Sequence, residues 1–79
     1  MEYSKHALVQ MQRRGISRDT VEEVIDKGAN AHQRNNREVF FLHNVIVVVE
    51  DGSTVVTAVK SRSLKRVRRN AELGRTMHF

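Results

Sequence analysis

Seventy-nine residues, 39% hydrophobic and 29% charged, make one small domain with a thin core rather than a disordered chain. Without cysteine there is no disulfide, thiolate metal site or cysteine nucleophile, and the expected compartment is the cytoplasm. The formal net charge is +5, and no apolar run exceeds Val45–Val49, so neither a membrane span of roughly 18 residues nor a secretory leader is expected.

The first half reads as two helices. Ser4 caps the first, with Tyr3 and Leu8 as a hydrophobic staple, Leu8 and Met11 with Ala7 beside them as the apolar face, and Gly15 as a left-handed stop. Ser17 caps the second. Ile16 and Val21 form its staple, Val21, Val24 and Ile25 its buried stripe, and Gly28 its end. Asp19, Glu22 and Glu23 sit near its positive N-terminal end.

After Gly28 the period changes. Ala29 to Arg34 is a weak edge strand at best, and Asn35-Asn36 is a turn. Glu38 to Leu42 is a strand that sends Phe40 and Phe41 to opposite faces. His43-Asn44 turns into Val45 to Glu50, apolar on both faces and so a central strand covered on both sides. Asp51-Gly52 is the strongest turn signal, and Val55 to Lys60 is the last strand. The expected fold is α+β: two N-terminal helices packed on a three- to four-stranded antiparallel sheet, with a basic C-terminal tail. Residues 1–62 form the domain, and 63–79 form the tail, partly helical or disordered, with Leu64 and Val67 spaced to dock on the body.

The charge is uneven. Residues 1–59 hold seven basic and eight acidic side chains, net −1; residues 60–79 hold seven basic and one acidic, net +6. A cationic end attracts polyanions by releasing their counterions. Two readings are open for it: a grip on nucleic acid or another acidic partner, or a solvated end.

Most chemistries find no support. There is no glycine-rich phosphate loop, no nucleophile elbow and no zinc spacing among His6, His32, His43 and His78, so no cofactor and no metal are expected. What remains is histidine with cations. His6, Gln10 and Arg13 lie at i, i+4 and i+7 on one helical stripe that can flank a groove between helix and sheet. Metal-free RNA cleavage needs a group to deprotonate the 2′-hydroxyl, one to protonate the leaving oxygen, and cations on the phosphorane. His6 with Arg13, Lys60 or Arg62 supplies those parts; the competing reading of His6 is a packed residue that fixes the helix. Lys60 and Arg62 open the cationic end and offer phosphate contacts. Lys65, Arg66, Arg68 and Arg69 add non-specific grip on nucleic acid. Phe40 and Phe41 are read as one core residue and one that covers the sheet or stacks on a base.

The stretch Tyr3-Ser4-Lys5-His6-Ala7-Leu8, with Met11, Arg13-Arg14-Gly15-Ile16-Ser17 and Val21-Glu22-Glu23-Val24-Ile25, resembles the opening of a family of small bacterial and phage-borne proteins. That family carries an S-x-H-A-L-x-x-M-x-x-R-G-I-S helix followed by a V-x-x-V-I/L helix. It is similar in arrangement to the RelE/BrnT-like toxin superfamily, in which helices precede an antiparallel sheet. The resemblance covers residues 3–28 and implies a metal-free endoribonuclease that uses basic residues and is paired with an antitoxin. The expectation is therefore an RNA-engaging protein of toxin type, with His6 as proton carrier and Arg13 and Lys60 in the catalytic group. The alternative is a non-catalytic module that binds nucleic acid or an acidic protein, for example a phage-encoded inhibitor. A third reading is a structural dimer joined through a sheet edge.

Overall fold

A computed structural model describes residues 1–33 and 35–60 of the chain. Seven elements follow in order: β1 (Glu2–Tyr3), α1 (Lys5–Arg14), α2 (Arg18–Lys27), β2 (Ala29–Gln33), β3 (Arg37–Leu42), β4 (Val45–Glu50) and β5 (Thr54–Lys60). The strands form one sheet in the order β1-β5-β4-β3-β2. Four of them make the expected antiparallel meander. The fifth is a correction to the sequence reading: β1 pairs parallel with β5, Glu2 opposite Thr54 and Tyr3 opposite Val55, so the sheet is mixed. Two residues are too few to show a period of two, which is why β1 left no pattern in the sequence. It is held by the backbone bonds Glu2 N–H to Ser53 C=O and Ser4 N–H to Val55 C=O, each 2.9 Å, and by the packing of Tyr3.

Both helices start as their caps dictate. The Ser4 hydroxyl accepts from the Ala7 N–H at 3.0 Å, and the Ser17 hydroxyl from the Thr20 N–H at 3.1 Å. Each bond satisfies one of the donors a helix start leaves orphaned. The stops differ. Gly15 ends α1 in the left-handed region at φ 65°. Gly28 ends α2 in an extended conformation, so a positive φ is not what requires glycine there. A Cβ on Gly28 would collide with the carbonyl oxygen of Val24 and lie 2.7 Å from that of Phe41. Glycine lets α2 lie hard against β3.

The helices cover one face of the sheet, α1 over β5 and α2 over β3 and β4. Ala7 and Met11 of α1, Ile16, and Val21 and Val24 of α2 pack there on Val45, Val47, Val49, Val55 and Ala58. Full burial of one such valine stabilises the fold by roughly 1.5–3 kcal/mol before conformational entropy is subtracted. Of the expected face of α1, Ala7 and Met11 are buried, whereas Leu8 is 39% exposed. Tyr3 packs against the helix-side core, with the Arg18 guanidinium 5.0 Å from its ring centroid.

The opposite face holds a second cluster of Val39, Phe41, Ile46, Val48 and Val59, flanked by Ala31 and Val56. Strand β4 is thus buried on both sides, as its sequence implies. Phe40 joins the helix-side core and Phe41 the second cluster, so both rings are packing residues. In β5 the register shifts: Val48 faces Thr57 and Val49 faces Val55, leaving Val56 as the extra residue of a bulge. The bulge resets the alternation, so Val55 and Ala58 both reach the helix side. Among the described residues no helix is long and apolar enough to cross a membrane.

Candidate functional site

The cationic side of the molecule is assembled from α1 and the last strand. Lys5, His6, Arg13 and Arg14 of α1 are all exposed, and the helix contains no acidic residue. Arg13 and Arg14 lie in its last turn, where cations also complement the negative end of the helix macrodipole. The helix is tied to β5 at two levels. Near its start, the Ser4 hydroxyl donates to the Val56 carbonyl at 3.4 Å. Further along, the Ala58 N–H donates to Gln10 Oε1 at 3.1 Å. That N–H is free to do so because β1 pairs with β5 only at Thr54 and Val55, which leaves the later part of the β5 edge without a neighbouring strand among the described residues.

These ties settle the direction of the helix. Ser4 lies beside Val55 and Val56, and Gln10 lies beside Ala58, so α1 and β5 run the same way. Arg13 and Arg14, one turn beyond Gln10, therefore point toward the end of β5 that carries the exposed Lys60. His6 sits near the opposite end of the seam, about 10 Å from Arg13 along the helix axis. The structure thus groups Arg13 with Lys60 and sets His6 apart. The middle member of the stripe, Gln10, is occupied in closing the sheet edge. Arg62, Lys65, Arg66, Arg68 and Arg69, and the basic tail they belong to, lie outside the described residues.

A second polar region was not singled out in the sequence. His32, Gln33, Asn36, Arg37, Glu38, Asp51 and Gly52 line an open cleft of about 450 Å³ at one end of the sheet. Two turns converge there, the Asp51 N–H donating to the Asn36 carbonyl at 2.9 Å. Asn35, Asn36, Asp51 and Gly52 all have positive φ, and each turn spans the three residues between a paired set, Gln33 with Arg37 and Glu50 with Thr54. His32 stands directly opposite Glu38 across the β2–β3 pair, and Glu38 accepts from Asn30 Nδ2 at 3.1 Å. Arg37 pairs with Glu50 at 3.2 Å, but both side chains are well exposed, so the pair contributes little to stability. The signal for this cleft was in the sequence. In an antiparallel meander the turns after the first and third strands fall at the same end, and both turns were read.

Among the described residues no group of three histidine or acidic side chains could hold a metal ion. His43 is exposed in its turn, at φ 55°. A family model described as a domain of unknown function, DUF4258, matches residues 3–60, from the last residue of β1 to the end of β5. No curated protein and no solved structure matches the chain.

Proposed function

The chain belongs to the DUF4258 family, and we propose that it engages RNA through the cationic end of the α1–β5 seam. The observation that carries this reading is the shared end of Arg13, Arg14 and Lys60, reached because Gln10 and Ser4 hold α1 parallel to β5. Lys60 is also the first of the seven basic residues that give 60–79 its charge of +6. Arginine guanidinium groups present forked donors to phosphate oxygens, and the field of a clustered cationic end steers a polyanion over roughly 8–10 Å at physiological salt.

The narrower form of the proposal is a metal-free endoribonuclease of RelE/BrnT-like, toxin type. His6 on the exposed side of α1 takes the proton of a 2′-hydroxyl. The freed oxygen attacks the adjacent phosphorus, and the 5′-oxygen leaves with a proton returned by the His6 imidazolium through water, yielding a cyclic phosphate. Arg13 and Lys60, at the other end of the seam, hold neighbouring phosphates of the strand laid along it, and an acidic antitoxin is the partner that would compete for the same cations. The compartment that goes with this reading is the cytoplasm, where such an RNA is met.

The test is incubation of the full chain with a mixed RNA in EDTA, with His6→Ala in parallel. Discrete products that vanish in the variant support the nuclease. Intact RNA that shifts on a gel at low salt leaves the binding module. RNA that neither breaks nor shifts overturns both forms and turns attention to an acidic protein.

A further inference from the structure

The two edges of the sheet are finished differently. At the β1–β5 edge, β1 has two residues, the Ala58 N–H is taken by Gln10, and α1 lies along β5. The opposite edge, β2, carries none of the devices that keep sheets from joining. Its five residues, Ala29–Gln33, include no Lys, Arg, Asp, Glu, proline or glycine. Its register with β3 runs unbroken from Ala29–Phe41 to Gln33–Arg37, with no bulge to twist it away. Among the described residues it pairs only with β3, and Ala29, Asn30 and His32 are exposed. Helix α2 lies over β3 and β4, set back from this edge.

We propose that β2 is an interface for a second copy of this chain, added edge to edge, antiparallel and centred on Ala31, so that two five-stranded sheets become one. The occupant follows from the sequence of the strand itself. The antiparallel register that pairs all five residues sets Ala31 against Ala31, Asn30 against His32 and Ala29 against Gln33 of the other copy. No two like charges meet, and the smallest side chain falls on the two-fold axis, where a residue must face itself.

The faces match as well. Asn30 stands opposite Phe40, on the helix side, while Ala31 flanks the second cluster. Residues directly opposite each other in an antiparallel pair share a face. Asn30 and His32 of the two copies therefore meet on the helix side, and the two second clusters join through Ala31. The helices leave room for this. With α2 centred between β3 and β4, the two α2 helices lie four strand spacings apart, roughly 19 Å, beyond the 8–10 Å at which helices pack. The α1–β5 seam stays uncovered at the far edge of each copy.

Sedimentation equilibrium of the full chain, without RNA and from about 1 μM to 1 mM, covers the window in which a small interface dissociates. The expected mass rises from monomer toward dimer, and a monomer at every concentration overturns the proposal. Ala31→Lys sets two ammonium groups against each other on the axis and should raise the dimer dissociation constant at least about tenfold. A dimer that this variant leaves unchanged is formed elsewhere and also overturns it. The chain has no cysteine, so single cysteines report the register without depending on that variant's fold. Under mild oxidation Ala31→Cys should form a covalent dimer at least about ten times faster than Asn44→Cys, in the exposed β3–β4 turn. Equal rates would place the contact away from Ala31 and contradict the pairing. None of these outcomes depends on RNA binding, so the inference can fail while the proposed function stands.

Discussion

Helices α1 and α2 are each ten residues long, each opens on a serine cap and each ends at a glycine, yet they serve the molecule differently. Helix α2 carries four acidic and two basic side chains, lies against β3 and β4, and ends in a glycine pressed on the Phe41 backbone. Helix α1 carries three cations and no acid, lies along a sheet edge, and ends in a glycine with open space around it. Its Leu8 and Val9 are about 40% exposed, whereas Val21 and Val24 of α2 are within 2% of full burial. Both helices bury one face in the core, Ala7 and Met11 of α1 and Val21 and Val24 of α2, but the same local rules gave only α1 an outer face with cations and no acid. Capping chemistry says where a helix starts and stops; what it is for comes from its burial and charge.

The comparison breaks most sharply at the two glycines. Gly28→Ala places a methyl into two carbonyl oxygens and should destabilise by about 3 kcal/mol. Gly15→Ala meets no atom within 4 Å and carries only the strain of a positive φ, about 1 kcal/mol. Urea unfolding of the two variants checks this, and equal losses would mean that α2 does not depend on its close approach to β3.

The caps give the next contrast, in the opposite sense. Ser4 is partly buried and bonds both to its own helix and to β5, so Ser4→Ala should lose about 1.5 kcal/mol. Ser17 is exposed and its hydroxyl engages only Thr20, so Ser17→Ala should lose about 0.5 kcal/mol. Thermal unfolding of both variants reports the difference, and a larger loss at Ser17 would reverse the ranking.

The smallest effect concerns the residue where the two helices meet the sheet. The Tyr3 hydroxyl is buried with no hydrogen-bond partner among the described residues. Desolvation pushes its pKa above 10.0, with Glu22 and Asp19 adding to the rise and Arg18 opposing it. A raised pKa favours the neutral form in the folded state. Its contribution is therefore complete below the unfolded pKa of about 10 and is lost as pH rises through the folded value. Tyr3→Phe should be as stable as the parent at pH 7 and lose less above pH 10. Parallel alkaline melting curves for the two would contradict this placement of the hydroxyl.

Much of the fold was legible in the sequence for reasons specific to its residues. Ser4, Gly15, Ser17 and Gly28 marked both helices, and Asn35-Asn36, His43-Asn44 and Asp51-Gly52 marked all three turns. The doubly apolar Val45–Val49 declared a central strand. Less legible was whatever tertiary pairing alone decides. Ala29–Gln33 is polar and forms a strand because β3 offers a full ladder of partners. The bulge at Val56 hides the period of β5, and β1 is a strand by its parallel bonds to Ser53 and Val55 rather than by any pattern of its own. At the site, spacing correctly placed His6, Gln10 and Arg13 on one stripe. It could not tell that Gln10 would be spent on the Ala58 N–H, because that donor is free only where β1 ends.

The most direct test of the proposed role of α1 is the salt dependence of RNA binding by the full chain and by the variant Arg13→Gln, Arg14→Gln, Lys60→Gln. If these three cations contact phosphates, the slope of log affinity against log salt should shrink in magnitude by about 2 in the variant, at roughly 0.7 per contact for a single strand. An unchanged slope, or no RNA binding by the parent at low salt, would contradict the account of α1 and β5 as the RNA-engaging seam.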